Sequence, residues 1–120
     1  NKLVELAKTL QLKTKLLETD KRKKLHLAGV LTNNFTNALL SVSREYIAPF
    51  TKENDVLQAL AVETIKKNLA SDNPWATQTG PAVRQDKSTI NEHLKMLNDN
   101  KDLQQLYSLM SEYIMNKSDV

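Results

Sequence analysis

The chain has 120 residues with no cysteine, two glycines and three prolines, and its 17 Lys/Arg against 14 Asp/Glu give a net charge of +3. That length supports at most one domain with a modest core, and the scarcity of glycine and proline beside many strong helix formers excludes a turn-rich all-β fold. Without cysteine there is no disulfide framework, thiolate metal site or cysteine nucleophile, and the cytoplasm is the expected compartment.

Residues 1–10 place Leu3, Leu6, Ala7 and Leu10 at helical spacing, and residues 12–18 then alternate like a short strand with Leu12, Thr14 and Leu16 on one side. A single strand needs a sheet. It pairs with a second copy, packs irregularly, or belongs to a sheet whose other strands lie upstream of Asn1. The start at Asn1 rather than methionine, with no signal-peptide pattern, reads as a piece of something longer. The basic cluster Lys13, Lys15, Lys21, Arg22, Lys23 and Lys24 has no interleaved aromatic residue and no nucleic-acid motif, so it reads as a solvated helix start.

Residues 20–50 form one long predicted helix, and within it residues 25–43 contain no Asp, Glu, Lys or Arg in a chain that is 26% charged. The polar residues in that run make it a poor membrane span. At about 100° per residue, Leu25, Ala28, Leu31, Phe35, Leu39, Val42 and Tyr46 form an apolar stripe. The opposite side carries His26, Val30, Asn33, Asn37, Ser41 and Arg44, with Asn34 at its edge. A solvated face would normally show lysine and glutamate, so neutral amides point to cover by another subunit, another domain or a ligand.

Pro49 stops this helix, and Asn54 or Asp55 caps the next, which runs to about Ala70 with Leu57, Leu60, Ala61 and Ile65 inward. Ser71-Asp72-Asn73-Pro74-Trp75 breaks it, and Trp75, the one tryptophan, reads as a packing residue. The segment Gln78-Thr79-Gly80-Pro81-Ala82-Val83-Arg84-Gln85-Asp86 combines a Gly-Pro turn with an Arg/Asp pair immediately before a helix that Asp86 is placed to cap. Ile90, Leu94 and Leu97 face inward on that helix. A last one spans residues 101–115 with Leu103, Leu106, Tyr107, Met110 and Ile114 inward. The expected class is all-α, a bundle of about four helices around a long central one, behind a helix-strand leader.

The two histidines, His26 and His93, have no carboxylate or second histidine at metal spacing, so no metal site is expected, and His93 reads as a helix-surface residue. No phosphate-cradling glycine loop or nucleophile elbow is present, so no cofactor is expected on this segment alone.

The segment 26–37 (His26-Leu-Ala-Gly-Val-Leu-Thr-Asn-Asn-Phe-Thr-Asn37), together with Thr79-Gly-Pro-Ala-Val-Arg-Gln-Asp86 and Thr89-Ile-Asn-Glu-His-Leu94, resembles a bacterial family of Rossmann-like proteins. Members carry an N-terminal NADP-binding-type domain and a helical domain of unknown function, and are labelled deazaflavin-dependent NADP oxidoreductase-like. The helical part is similar to the C-terminal domains of 6-phosphogluconate dehydrogenase and its relatives. The resemblance implies that residues 1–18 are the trailing helix and strand of an absent Rossmann domain and residues 19–120 the C-terminal helical domain. It implies NADP or NAD for the full-length protein, an unknown small-molecule substrate and a homodimer, with no nucleic-acid or membrane partner.

The resemblance also implies a substrate or interdomain wall made of His26, Asn33, Asn34, Asn37, Thr79, Gly80, Arg84 and Asp86. The dehydrogenase relatives place a catalytic lysine three residues before the first of the asparagine pair, where this chain has Val30. Valine cannot move a proton, so the hydroxyacid mechanism does not carry over. His26, one turn earlier, is either its substitute or a hydrogen-bonded structural residue. The alternative function is a non-catalytic helical interaction module.

Overall fold

The computed structural model describes residues 1–9, 18–52 and 55–118. Among them there is no strand, and the class is all-α. The chain falls into two compact units, Asn1–Leu57 and Gln58–Val120.

The first unit opens with α1 (Lys2–Thr9), whose first turn is capped by Asn1: its side-chain oxygen accepts from the Leu3 amide at 3.0 Å. The strand expected over residues 12–18 lies outside the described residues, apart from Glu18, which precedes α2 in an extended conformation. α2 (Thr19–Gly29), a π-helical segment (Val30–Phe35) and α3 (Thr36–Ile47) then follow without a break. Pro49 cannot donate to the helical ladder, and the chain turns out through Phe50, whose amide reaches the Ile47 carbonyl at 2.9 Å.

The π segment has a cause in the sequence. Leu27, Leu31, Phe35 and Leu39 recur every four residues. Four residues overshoot an α turn by about 40°, so three such steps would drift by about 120° and scatter the row around the helix. A π turn closes its hydrogen bonds one residue later than an α turn and takes up the excess. The expected stripe is therefore rephased: Leu27 joins Leu31, Phe35, Leu39, Val42 and Tyr46, while Leu25 and Ala28 leave it. On the opposite side Gly29, Asn33 and Asn37, also spaced by four, form a second row that continues toward Ser41. Asn34 lies about a quarter-turn away from that row. Within the π segment the ladder is wide enough for the Thr36 hydroxyl to reach the Leu31 carbonyl, five residues back, at 3.5 Å.

No described residue of this unit is buried. Leu31 and Phe35, expected to face inward, are 54% and 55% exposed.

α4 (Asp55–Ala70) carries the chain into the second unit. Asn54, the other candidate cap, lies outside the described residues. Of its expected inward residues, Leu57 and Ala61 are half-buried whereas Leu60 and Ile65 are exposed. Val56, Val62 and Leu69 are exposed as well, so α4 presents apolar side chains all round. A 3₁₀ turn (Pro74–Thr77) and a compact loop lead to α5 (Lys87–Met96) and α6 (Lys101–Ser118).

The core of this unit sits at the α5–α6 pair and the loop before it, where Ala82, Ile90 and Ser111 are buried. Leu94, Leu97, Leu103, Tyr107 and Ile114 are half-buried, as the spacing required. Leu106 and Met110 are not: both are exposed, and the small Ser111 takes the buried place on α6.

Candidate functional site

The loop before α5 is built by its backbone. Gly80 has φ 107°, a left-handed region that a side chain resists, and the turn then closes through Arg84 N–H to Gly80 O (3.4 Å), Gln85 N–H to Ala82 O (3.1 Å) and Asp86 N–H to Pro81 O (2.9 Å). Gln85 is also left-handed, at φ 54°. Asp86 caps α5 with both oxygens: one accepts from the Thr89 amide at 3.1 Å and the other from the Thr89 hydroxyl at 2.7 Å. These bonds, with smaller help from the Arg84 and His93 charges, hold the Asp86 carboxyl below its ordinary value against a small cost of burial.

Arg84 acts on Asp86 through space and makes no ion pair among the described residues. Its side chain is exposed, as is Thr79. Thus Gly80, Arg84 and Asp86 are brought into one turn, with Thr79 beside it, and the carboxylate is occupied as a helix cap.

The other four candidates lie in the first unit, all exposed: His26, Asn33, Asn34 and Asn37. The neighbouring hydroxyls are turned onto the helix itself, Ser41 to the Asn37 carbonyl at 2.9 Å and Ser43 to that of Leu39 at 2.8 Å. No such bond engages the side chains of Asn33, Asn34 or Asn37 among the described residues, and the three exposed amides are available as donors and acceptors. At the head of the Asn33–Asn37 row stands Gly29, whose φ of −63° is ordinary for a helix and whose missing Cβ would meet nothing within 4 Å. Neither conformation nor packing among the described residues calls for glycine there. The row is a bare stretch of backbone flanked by amides, able to accept close approach and neutral hydrogen bonding, with no charge to offer.

Three features escaped the sequence reading. The π segment is one, and the fourfold spacing of Leu27, Leu31, Phe35 and Leu39 is the signal that would have found it. His93 is the second. It is half-buried rather than a surface residue, with its Nδ1 2.8 Å from the Tyr107 hydroxyl and the two rings edge to face, which ties α5 to α6. The third is the neighbourhood of Trp75: Tyr113 stands with its ring centroid 6.0 Å away, and the Lys117 ammonium lies 5.9 Å from the indole and 5.7 Å from the phenol ring. No local pattern links residues so far apart in sequence.

Among the described residues no three His, Asp or Glu side chains are grouped as a metal site requires, and no helix is long and apolar enough to cross a membrane. A family model described as a domain of unknown function, DUF2520, matches residues 1–114. The chain belongs to the DUF2520 family. No curated protein matches this DUF2520 chain. Among solved structures it is similar to the "putative NADP oxidoreductase BF3122 from Bacteroides fragilis", at 39% identity and a TM-score of 0.77 over 83% of this chain. The DUF2520 chain spans only 38% of the length of that protein. Together the two matches support the resemblance to a helical domain of unknown function in NADP oxidoreductase-like proteins.

Proposed function

We propose that this DUF2520 chain is the C-terminal dimerisation and substrate-wall domain of an NAD(P)-dependent oxidoreductase of the cytoplasm. The observation that carries the reading is its 39% identity to a chain named for NADP-linked redox chemistry, of which it matches little more than a third. Residues 1–18 would then close an upstream Rossmann domain that holds the nicotinamide cofactor, and residues 19–120 would form the helical domain. Hydride transfer belongs to the upstream domain. This chain contributes shape and hydrogen bonds, with Asn33 and Asn37 offering amides from one row and Thr79, Gly80, Arg84 and Asp86 forming a second, loop-borne contribution.

Val30 leaves the helix without a lysine acid, and His26 is the one ionisable side chain within residues 25–43. A chemistry that needs little proton transfer from this domain, or takes it from His26, fits these residues best. The exposed apolar residues around α4 favour a second reading, a helical interaction module without catalysis.

Titration of the full-length protein with NADPH, and separately NADH, followed by nicotinamide fluorescence, tests the first reading. Saturable binding of one cofactor per chain is the expected result. Failure of both to bind would leave the interaction module.

A further inference from the structure

The π segment gives the long helix two different faces, and we infer that the apolar one docks on a second copy of this chain, antiparallel, through Leu27, Leu31, Phe35, Leu39 and Tyr46. The inference rests on the dimerisation part of the proposal above and adds which face is used and in what direction.

Three observations select a second copy as the occupant. First, each of these five side chains is more than two-fifths exposed, and no described residue of their own unit is buried. Offering on the order of 100 Å² apiece, they give roughly 1,000 Å² across a symmetric pair, the size at which specific interfaces begin. Second, residues 25–43 carry no charged side chain in a chain of net charge +3. Over about 28 Å of helix, two identical copies can meet without like charges opposing each other.

Third, Lys21, Arg22, Lys23 and Lys24 crowd the first turns of α2, where the positive end of the helix dipole makes basic residues unfavourable. An antiparallel copy brings its carbonyl end alongside them, with Glu45 on that turn and Arg44 of the same turn on the side away from the apolar row, so that the helix dipole favours the placement. A parallel copy would set basic cluster against basic cluster. The fourfold spacing matters here too. Without the π turn the row would wind around the helix, and only part of it could reach a straight partner.

The test is the mass of the full-length protein by light scattering over a broad concentration series, for wild type, Leu31→Lys and Ser41→Lys. Leu31 lies in the apolar row and Ser41 on the opposite side, both on the same helix. A dimeric wild type is expected, with self-association weakened on the order of a hundredfold by Leu31→Lys and little changed by Ser41→Lys. Circular dichroism checks that helix content is retained, and Phe35→Lys repeats the test at a second point of the row.

A dimer broken by Ser41→Lys but indifferent to Leu31→Lys and Phe35→Lys would overturn this face while leaving dimerisation standing. A wild type that stays monomeric throughout would overturn both, and would assign the cover of the row to another part of the same chain.

Discussion

Asp86 shows how much one side chain can settle. Its two oxygens are both committed to Thr89, one to the amide and one to the hydroxyl, so a residue suspected of lining a site is held first as the cap that starts α5. Because the folded carboxyl ionises below its ordinary value, its contribution is fully present above the unfolded value of about 3.9 and is lost as the pH falls through the folded one. Asp86→Asn keeps a capping oxygen and removes the titration. Urea midpoints of the two proteins should therefore differ most near neutral pH and converge in strong acid; a constant difference would mean that the charge is not what stabilises the cap. Tyr107 offers a second test at this scale. Tyr107→Phe removes the hydroxyl 2.8 Å from His93 Nδ1 without changing the ring, and should lower unfolding free energy by about 1 kcal/mol in urea denaturation. The Asp86 cap was legible in advance because a cap needs only residues three apart. The His93–Tyr107 bond was not, since its partners are 14 residues apart on two helices whose relative rotation no local pattern reports.

The elements are unevenly legible in the sequence, and the reasons are physical. The ends of the helices follow from Pro49, Pro74 and Asp86, each of which acts on its own neighbours, and the structure places the breaks there. The interior of the long helix does not follow, because a constant 100° per residue fails across a segment that changes its pitch. Counting the recurrences of four, at Leu27, Leu31, Phe35 and Leu39 and again at Gly29, Asn33 and Asn37, would have revealed that two independent rows need the same wider turn. Gly29 carries a prediction of its own. Alanine is the better helix former, and a Cβ at position 29 meets nothing within 4 Å, so Gly29→Ala should raise the unfolding free energy by about 1 kcal/mol. If the same variant loses cofactor or substrate response in the full-length protein while gaining stability, the bare backbone is there for something outside this chain. Equal gains in both would make the glycine incidental.

At the level of the whole molecule, the all-α class was written in the composition, since so few glycines and prolines cannot supply the turns of a sheet protein. What the pattern could not show is how little of the apolar surface this chain covers by itself. Leu60, Ile65, Leu106 and Met110 sit at helical spacings that mark them as inward, yet all four are exposed, and Ala82, Ile90 and Ser111 are the described residues that are buried. Periodicity reports which face wants cover, not whose atoms provide it. In the proposed reading these apolar faces are covered by a second copy or by the upstream domain.

The company that Trp75 keeps has an optical consequence. It is the one tryptophan in the sequence, it is 44% exposed, and it stands beside Tyr113 and Lys117 on the last turns of α6. Excitation absorbed by Tyr113 at 6.0 Å passes efficiently to the indole, while the nearby ammonium perturbs its emission. A single fluorophore thus reports the docking of the α6 end onto the loop after α4. Lys117→Ala should shift the emission spectrum with no loss of helix, and melting of the last α6 turns should appear as recovered tyrosine emission, a built-in gauge for following this part of the chain in solution without any added label.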